Sequence, residues 1–164
     1  MDELSLAVLQ AELQADCRVI REAAGMARQR FAAGSEAELE GCAFHLSRLY
    51  NALEQLCMRI AGAFENRVDD DAGWHSELLR RLTLDIHGVR PAFVPAELLS
   101  DLRELRGFRH VVRHAYTLIL DREKIGRVLE AADRAAAALP GACSAFIRKV
   151  AAEQGWKSPE SDHA

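Results

Sequence analysis

The sequence predicts an all-α, up-and-down bundle of about five to six helices that forms one domain over residues 1–156. Ala, Leu, Glu and Arg are abundant, whereas aromatic residues make up only 6% of the 164 residues. This composition favours helices over strands. Apolar residues also recur every three or four positions along most of the chain, which is the spacing of one helix face.

Two long helices begin the predicted bundle. The first runs over about residues 4–31, where Leu6, Leu9 and Leu13 start the apolar stripe, and Gly34 follows as a left-handed cap. The second begins at a capping-box pattern over residues 35–38 and runs to about Asn66. We expect these two helices to pack as an antiparallel pair.

Shorter elements are predicted in the middle of the chain. The acidic residues 69–71 are interpreted as a solvated turn before a third helix that extends through Leu78 and Leu82 to Ile86. Residues 88–91, Gly-Val-Arg-Pro, then predict a loop.

Two more helices and a short last one complete the prediction. Pro95 suits the first turn of a fourth helix, which extends to Ile119. Asp121 is expected to cap a fifth helix, and residues 140–141, Pro-Gly, to break it before a last short helix. Residues 157–164 are expected to form a flexible tail.

Composition limits the function. The formal net charge of −4 argues against bulk electrostatic coating of nucleic acid, so an RNA contact needs a local basic patch. The four cysteines lack a C-x-x-C spacing and lie on apolar stripes, which predicts small buried side chains rather than a zinc site. The acidic start has no signal-peptide layout, and no run approaches the ~20 apolar residues of a membrane span. A cytoplasmic protein is expected.

The candidate site lies late in the fourth helix, where Arg109, His114 and Tyr116 follow one another closely. A guanidinium matches phosphate oxygens, and an imidazole can exchange a proton near neutral pH. On an ideal helix Arg109 and Tyr116 lie within about 20° of one stripe, whereas Arg109 and His114 are about 140° apart. A site that uses both Arg109 and His114 therefore needs either a break near Gly107 or a second copy of the chain.

Residues 107–116, Gly-Phe-Arg-His-Val-Val-Arg-His-Ala-Tyr, resemble the R-x4-H-x-Y signature of HEPN-superfamily proteins, in particular the HepT-like toxin ribonucleases. The resemblance spans about residues 39–139. It implies a HEPN-like bundle that forms a homodimer and acts without a cofactor or metal ion as an endoribonuclease. It also implies the toxin component of a type VII-like HEPN/nucleotidyltransferase toxin–antitoxin system.

The same resemblance assigns roles to individual residues. It implies that Arg109 and His114 are catalytic and that Tyr116 is adenylylated by a partner nucleotidyltransferase antitoxin. Neighbouring basic residues would bind the phosphate or the RNA, namely His110, Arg113 and Arg106. Glu54 on the second helix is an accessory candidate, because family members often keep a polar residue there facing the motif.

Other interpretations remain open from the sequence. Arg109 can form an ordinary ion pair with Asp121 or Glu104, and Glu54 can be a solvent-facing partner of Arg48 or Arg59. His110 and His114 have the i, i+4 spacing of a metal-binding pair, although no third ligand is evident. The main functional alternative is a non-catalytic dimeric helical binding module, or a companion of a nucleotidyltransferase.

Overall fold

The structure is a computed structural model that describes residues 1–65, 74–114 and 120–156. These residues form five α-helices and one 3-10 turn, which confirms the all-α class. The helices are α1 (Glu3–Ala33), α2 (Glu36–Phe64), α3 (Trp74–Arg81), α4 (Leu99–His114) and α5 (Arg122–Glu153), with the 3-10 turn at Ala96–Leu98. Within those ranges, no helix combines the length and the apolar character that a membrane crossing needs.

The connection between α1 and α2 follows the sequence prediction. Gly34 has φ 82°, the left-handed conformation that glycine adopts without a steric penalty. Ser35 Oγ then accepts a hydrogen bond from the backbone N–H of Glu38 at 3.3 Å, which caps α2. α2 ends at Phe64, and the predicted end at Asn66 lies outside the described residues.

Contacts between distant residues fix the packing of α1. Arg59 of α2 binds Glu12 and Asp16 of α1, and α1 also packs along α5, as its Arg28–Asp133 ion pair and Cys17–Cys143 contact show. Because low numbers of α1 meet high numbers of both partners, α1 runs antiparallel to α2 and to α5. The core draws on every described helix, and its members include Leu13, Ile20, Leu49, Leu53, Leu79, Leu102 and Phe146.

α3 is shorter than the sequence predicts. It ends at Arg81, whereas the apolar spacing suggested a continuation to Ile86. The backbone N–H of Ile86 instead bonds to the carbonyl of Arg90 at 2.9 Å, within a turn where Gly88 has φ 75°. The predicted loop at residues 88–91 is therefore confirmed, while the acidic turn at residues 69–71 lies outside the described residues.

A buried arginine explains why the chain turns at this point. The Arg90 side chain is fully buried and donates to the Glu65 carboxylate at the end of α2. It also donates to the backbone carbonyls of Arg81, Leu84 and Pro91. These bonds hold three carbonyls of the turn against one buried side chain. The loop is thus folded around one guanidinium, which we call the Arg90 clamp.

α4 is continuous. Pro95 precedes the 3-10 turn at Ala96–Leu98, and α4 then runs through Gly107 to His114 without interruption. A helix break near Gly107, one of the two routes that would bring Arg109 and His114 together, is therefore wrong. The predicted continuation to Ile119 lies outside the described residues.

α5 begins as predicted but does not break. Asp121 Oδ1 accepts from the backbone N–H of Glu123 and Lys124, which confirms the cap. The predicted break at Pro140 and Gly141 is wrong, because one helix continues to Glu153. Proline removes only one backbone donor, and the buried stripe continues beyond it, so packing against the core outweighs the local preference. That stripe comprises Leu139, Cys143, Phe146, Ile147 and Val150. Residues 157–164 lie outside the described residues.

Candidate functional site

Arg109 of α4 is held by side chains of α2. Its Nε donates to Asn51 Oδ1 at 2.6 Å, and its Nη2 lies 3.7 Å from Glu54 Oε2. Its Cζ lies 5.7 Å from the centre of the Tyr50 ring, within the range of a cation–π contact. One guanidinium is thus oriented by an amide, a carboxylate and an aromatic ring from a single stretch of α2.

Helix periodicity explains this arrangement. Asn51 and Glu54 are three residues apart and therefore lie on neighbouring positions of one face of α2. On α4, Arg109 follows the buried Leu105 by one turn, which places its side chain at the edge of the core. The Arg109 side chain keeps 22% of its surface exposed and that of Glu54 13%. The guanidinium is therefore fixed in place but still accessible to a ligand.

The surroundings determine the protonation state of Tyr50. Burial raises the pKa of the Tyr50 hydroxyl, and the neighbouring charge of Glu54 raises it further, against the opposing effect of Arg106 and Arg109. Tyr50 is therefore neutral at physiological pH. The charge balance of the site is set by the arginines and Glu54.

The other predicted site residues on α4 differ in their exposure. Arg106 precedes Arg109 by one turn and is half-buried, whereas His110 and Arg113 are exposed. The structure therefore brings Arg106 and Arg109 to the α2 side, with His110 and Arg113 accessible to solvent. His114 ends α4, but its side chain lies outside the described part of the structure. Tyr116 lies outside the described residues altogether.

The ion pairs of Arg109 and Arg59 have other partners than those that the sequence suggested. Arg109 binds Asn51 and Glu54 rather than Asp121 or Glu104. Arg59, one proposed partner of Glu54, instead binds α1. Glu54 thus lies beside Arg109, and its accessory role stays a prediction.

Sequence reasoning missed Asn51. The sequence contains only a weak indication of its role. Asparagine is unfavourable inside a helix, so an asparagine in the middle of α2 suggests a specific side-chain interaction. Within the described residues, no group of three or more His, Cys, Asp or Glu side chains is arranged to hold a metal ion. The charged groups that the described structure gathers here are Arg106, Arg109 and Glu54.

The fold and this site together define a helical-bundle protein with an accessible, oriented arginine on its fourth helix. The chain belongs to the HepT-like protein family, whose family model matches residues 41–150, about two thirds of the chain. The matched stretch includes the contact between α2 and α4 and leaves out α1. No curated protein and no solved structure matches the chain.

Proposed function

We propose that this protein is a metal-independent endoribonuclease, the toxin component of a type VII-like HEPN/nucleotidyltransferase toxin–antitoxin system. The observation that carries the proposal is Arg109, which lies in the family-matched stretch. Its guanidinium is oriented by Asn51, and its side chain is 22% exposed. The exposed His110 and Arg113 extend a local basic patch on a chain of net charge −4. Such a patch is what RNA binding by an acidic protein requires.

In the proposed reaction the 2′-hydroxyl of RNA attacks the adjacent phosphorus. The bond from phosphorus to the 5′-oxygen breaks, which leaves a 2′,3′-cyclic phosphate and a free 5′-hydroxyl. His114 would take the proton of the attacking hydroxyl or supply one to the leaving oxygen. Arg109 would stabilise the charge that develops on the phosphoryl oxygens, an effect worth about 3–4 kcal/mol per donor in comparable sites. Because Asn51 binds Nε and Nη2 faces Glu54, the phosphate would approach from the side of Nη1.

A homodimer is part of the proposal. α4 is continuous, so Arg109 and His114 lie about 140° apart on one helix, and a twofold partner would supply the missing group. Val111 is 51% exposed on α4, and a Cβ added at the exposed Gly107 would meet no atom within 4 Å. Both features suit the close approach of a second α4.

The dimer is tested by a charge on this face. We expect Val111→Glu to convert a dimer to a monomer in light scattering and to lower RNA cleavage. Val8→Glu is the matched control, because Val8 is similarly exposed, at 53%, but lies on α1. Equal dissociation by both variants, or by neither, would contradict a dimer through α4.

Tyr116 is the proposed regulatory residue. A partner nucleotidyltransferase would transfer AMP from ATP to the phenolic oxygen with release of pyrophosphate. The added phosphate would bring negative charge near Arg109 and oppose RNA binding. Mass spectrometry after coexpression should find one AMP on Tyr116 and none on Tyr116→Phe, and the modified protein should not cleave RNA.

Nuclease activity is tested on total RNA in the presence of EDTA. We expect the wild-type protein to cleave, and Arg109→Ala and His114→Ala to lose activity by about 100-fold or more. Arg127→Ala is the matched control, because Arg127 forms an exposed ion pair within α5, and it should cleave normally. Intact RNA with wild-type protein that still binds a nucleotidyltransferase would favour the non-catalytic binding module instead. Loss of cleavage in EDTA would favour a metal enzyme.

A further inference from the structure

Two buried cysteines face each other between α1 and α5. The Sγ atoms of Cys17 and Cys143 are 3.7 Å apart and share a hydrogen bond. All four cysteines are free thiols. The Cys17 and Cys143 residues retain 3% and 5% of their surface, whereas Cys42 and Cys57 retain none. All four are buried, and the pair is distinguished from the other two thiols by the contact between its sulfur atoms.

We propose that Cys17 and Cys143 form an oxidation site, at which a hydroperoxide converts the two thiols into an intramolecular disulfide that joins α1 to α5. The Sγ atoms need to approach by roughly 1.7 Å to reach the S–S bond length of about 2.05 Å. Rotation of two short side chains and a small shift of one helix supply this movement. The residues are 126 positions apart, so the bond would close most of the chain into one loop.

The environment assigns different roles to the two sulfur atoms. The hydrogen bond with Cys143 lowers the pKa of Cys17, against the effect of burial, and the nearby Arg21 lowers it further. The same hydrogen bond and burial raise the pKa of Cys143. Because the thiolate is the reactive form, Cys17 is the group that attacks the oxidant and Cys143 the group that resolves the product.

The chemistry balances with one hydroperoxide. The Cys17 thiolate attacks an oxygen of hydrogen peroxide, the O–O bond breaks, and hydroxide leaves, which produces a sulfenic acid. The Cys143 sulfur then attacks the Cys17 sulfur, the S–O bond breaks, and water leaves with the Cys143 proton. Two thiols and one peroxide thus become one disulfide and two waters.

This bond would connect the family-matched domain to the helix that precedes it. Cys143 lies within residues 41–150, whereas α1 ends before them. Oxidation would therefore add a covalent link between α1 and α5 to the backbone connection between α1 and α2. We expect the urea midpoint to rise on oxidation and to return to its reduced value with a thiol reductant, because a cross-link restricts the unfolded chain.

The test uses the reduced full-length protein treated with hydrogen peroxide and then alkylated under denaturing conditions. We expect free thiols to fall from four to two, with a cross-linked peptide pair that contains Cys17 and Cys143. Cys42→Ala and Cys57→Ala, checked for folding by circular dichroism, should still form this bond. Cys143→Ala should stop at a sulfenic acid on Cys17 that dimedone captures.

Three outcomes would overturn the proposal. The first is four free thiols after treatment, the second is a cross-link that includes Cys42 or Cys57, and the third is a sulfinic acid on Cys17 without a disulfide in the wild-type protein. Mapping the cross-link in the wild-type protein tests the Cys17–Cys143 disulfide even where a cysteine variant fails to fold. None of these readouts depends on RNA cleavage.

Discussion

The Arg90 clamp should be one of the most sensitive points of the fold, and Arg90→Met tests it. The side chain is fully buried and donates five hydrogen bonds, two to Glu65 and three to backbone carbonyls. Methionine keeps much of the length and removes the charge and every donor. The Glu65 side chain, only 8% exposed, would keep Arg81 as its partner, while three carbonyls would lose their charged donor.

The magnitude follows from burial. Removal of one partner of a buried ion pair costs about 3–5 kcal/mol when the remaining charge is left without compensation. Because Glu65 keeps its ion pair with Arg81, we expect Arg90→Met to cost about 3 kcal/mol, the lower end of this range. The expected total free energy of unfolding is only about 5–15 kcal/mol. The loss should therefore be about a fifth or more of the stability. The matched control is Arg80→Met: Arg80 pairs with Glu77 at the surface, with side chains 54% and 50% exposed, and such pairs contribute about 0–1 kcal/mol.

The assay is urea unfolding followed by circular dichroism at constant protein concentration, with linear extrapolation to water. A second variant, Glu65→Leu with Arg90→Met, should recover part of the loss, because it replaces both members of the buried pair by apolar groups. Arg81, which loses Glu65 in this variant, has a side chain 41% exposed and can be hydrated instead. Equal stabilities of Arg90→Met and Arg80→Met, within about 1 kcal/mol, would refute this account of the loop.

Three further predictions concern the site, α5 and the buried thiols. Asn51→Ala should lower RNA cleavage by about tenfold or more, because a hydrogen bond to the charged Arg109 is worth about 1.5–3 kcal/mol. Normal single-turnover cleavage would contradict the positioning role. Gly141→Ala should raise the free energy of unfolding by about 0.5–1 kcal/mol, because alanine is favoured over glycine inside a helix and its Cβ would meet no atom within 4 Å. A lower free energy of unfolding in urea would contradict this prediction. Burial raises the pKa of Cys42 to about 11 and of Cys57 to about 12. The unfolded chain, with thiol pKa values near 9.0, therefore releases these protons first, so stability should fall as the pH rises from about 9 towards 11. The Cys42→Ala/Cys57→Ala variant should show a shallower slope over this range, and an unchanged slope would exclude the thiols as its cause.

Local signals in the sequence were sufficient to predict where several helices begin and end. Asp121 and Ser35 cap their helices because each supplies an oxygen to backbone N–H groups that the first turn leaves unpaired. Gly34 ends α1 because it reaches a positive φ without strain. These interactions involve residues at most three positions apart, so short sequence patterns describe them fully.

Interactions between distant residues explain the failures. Pro140 is a helix breaker by local rules, but the buried stripe on both sides of it keeps α5 continuous. The Arg90 clamp joins residues 25 positions apart, and the apolar periodicity of the sequence does not predict it. The motif on α4 indicated Arg109 as a phosphate ligand, yet its contact with Asn51 became visible only in three dimensions.

The bond between Arg109 and Asn51 spans 58 positions of the chain. A peptide that carries only the α4 motif would contain the arginine but not the groups that orient it. A partly folded state that keeps its helices but loses their docking would likewise have a freely rotating guanidinium. The orientation of Arg109 is therefore a property of tertiary structure, and a spectroscopic or chemical probe of that side chain would report the docking of α2 and α4 directly.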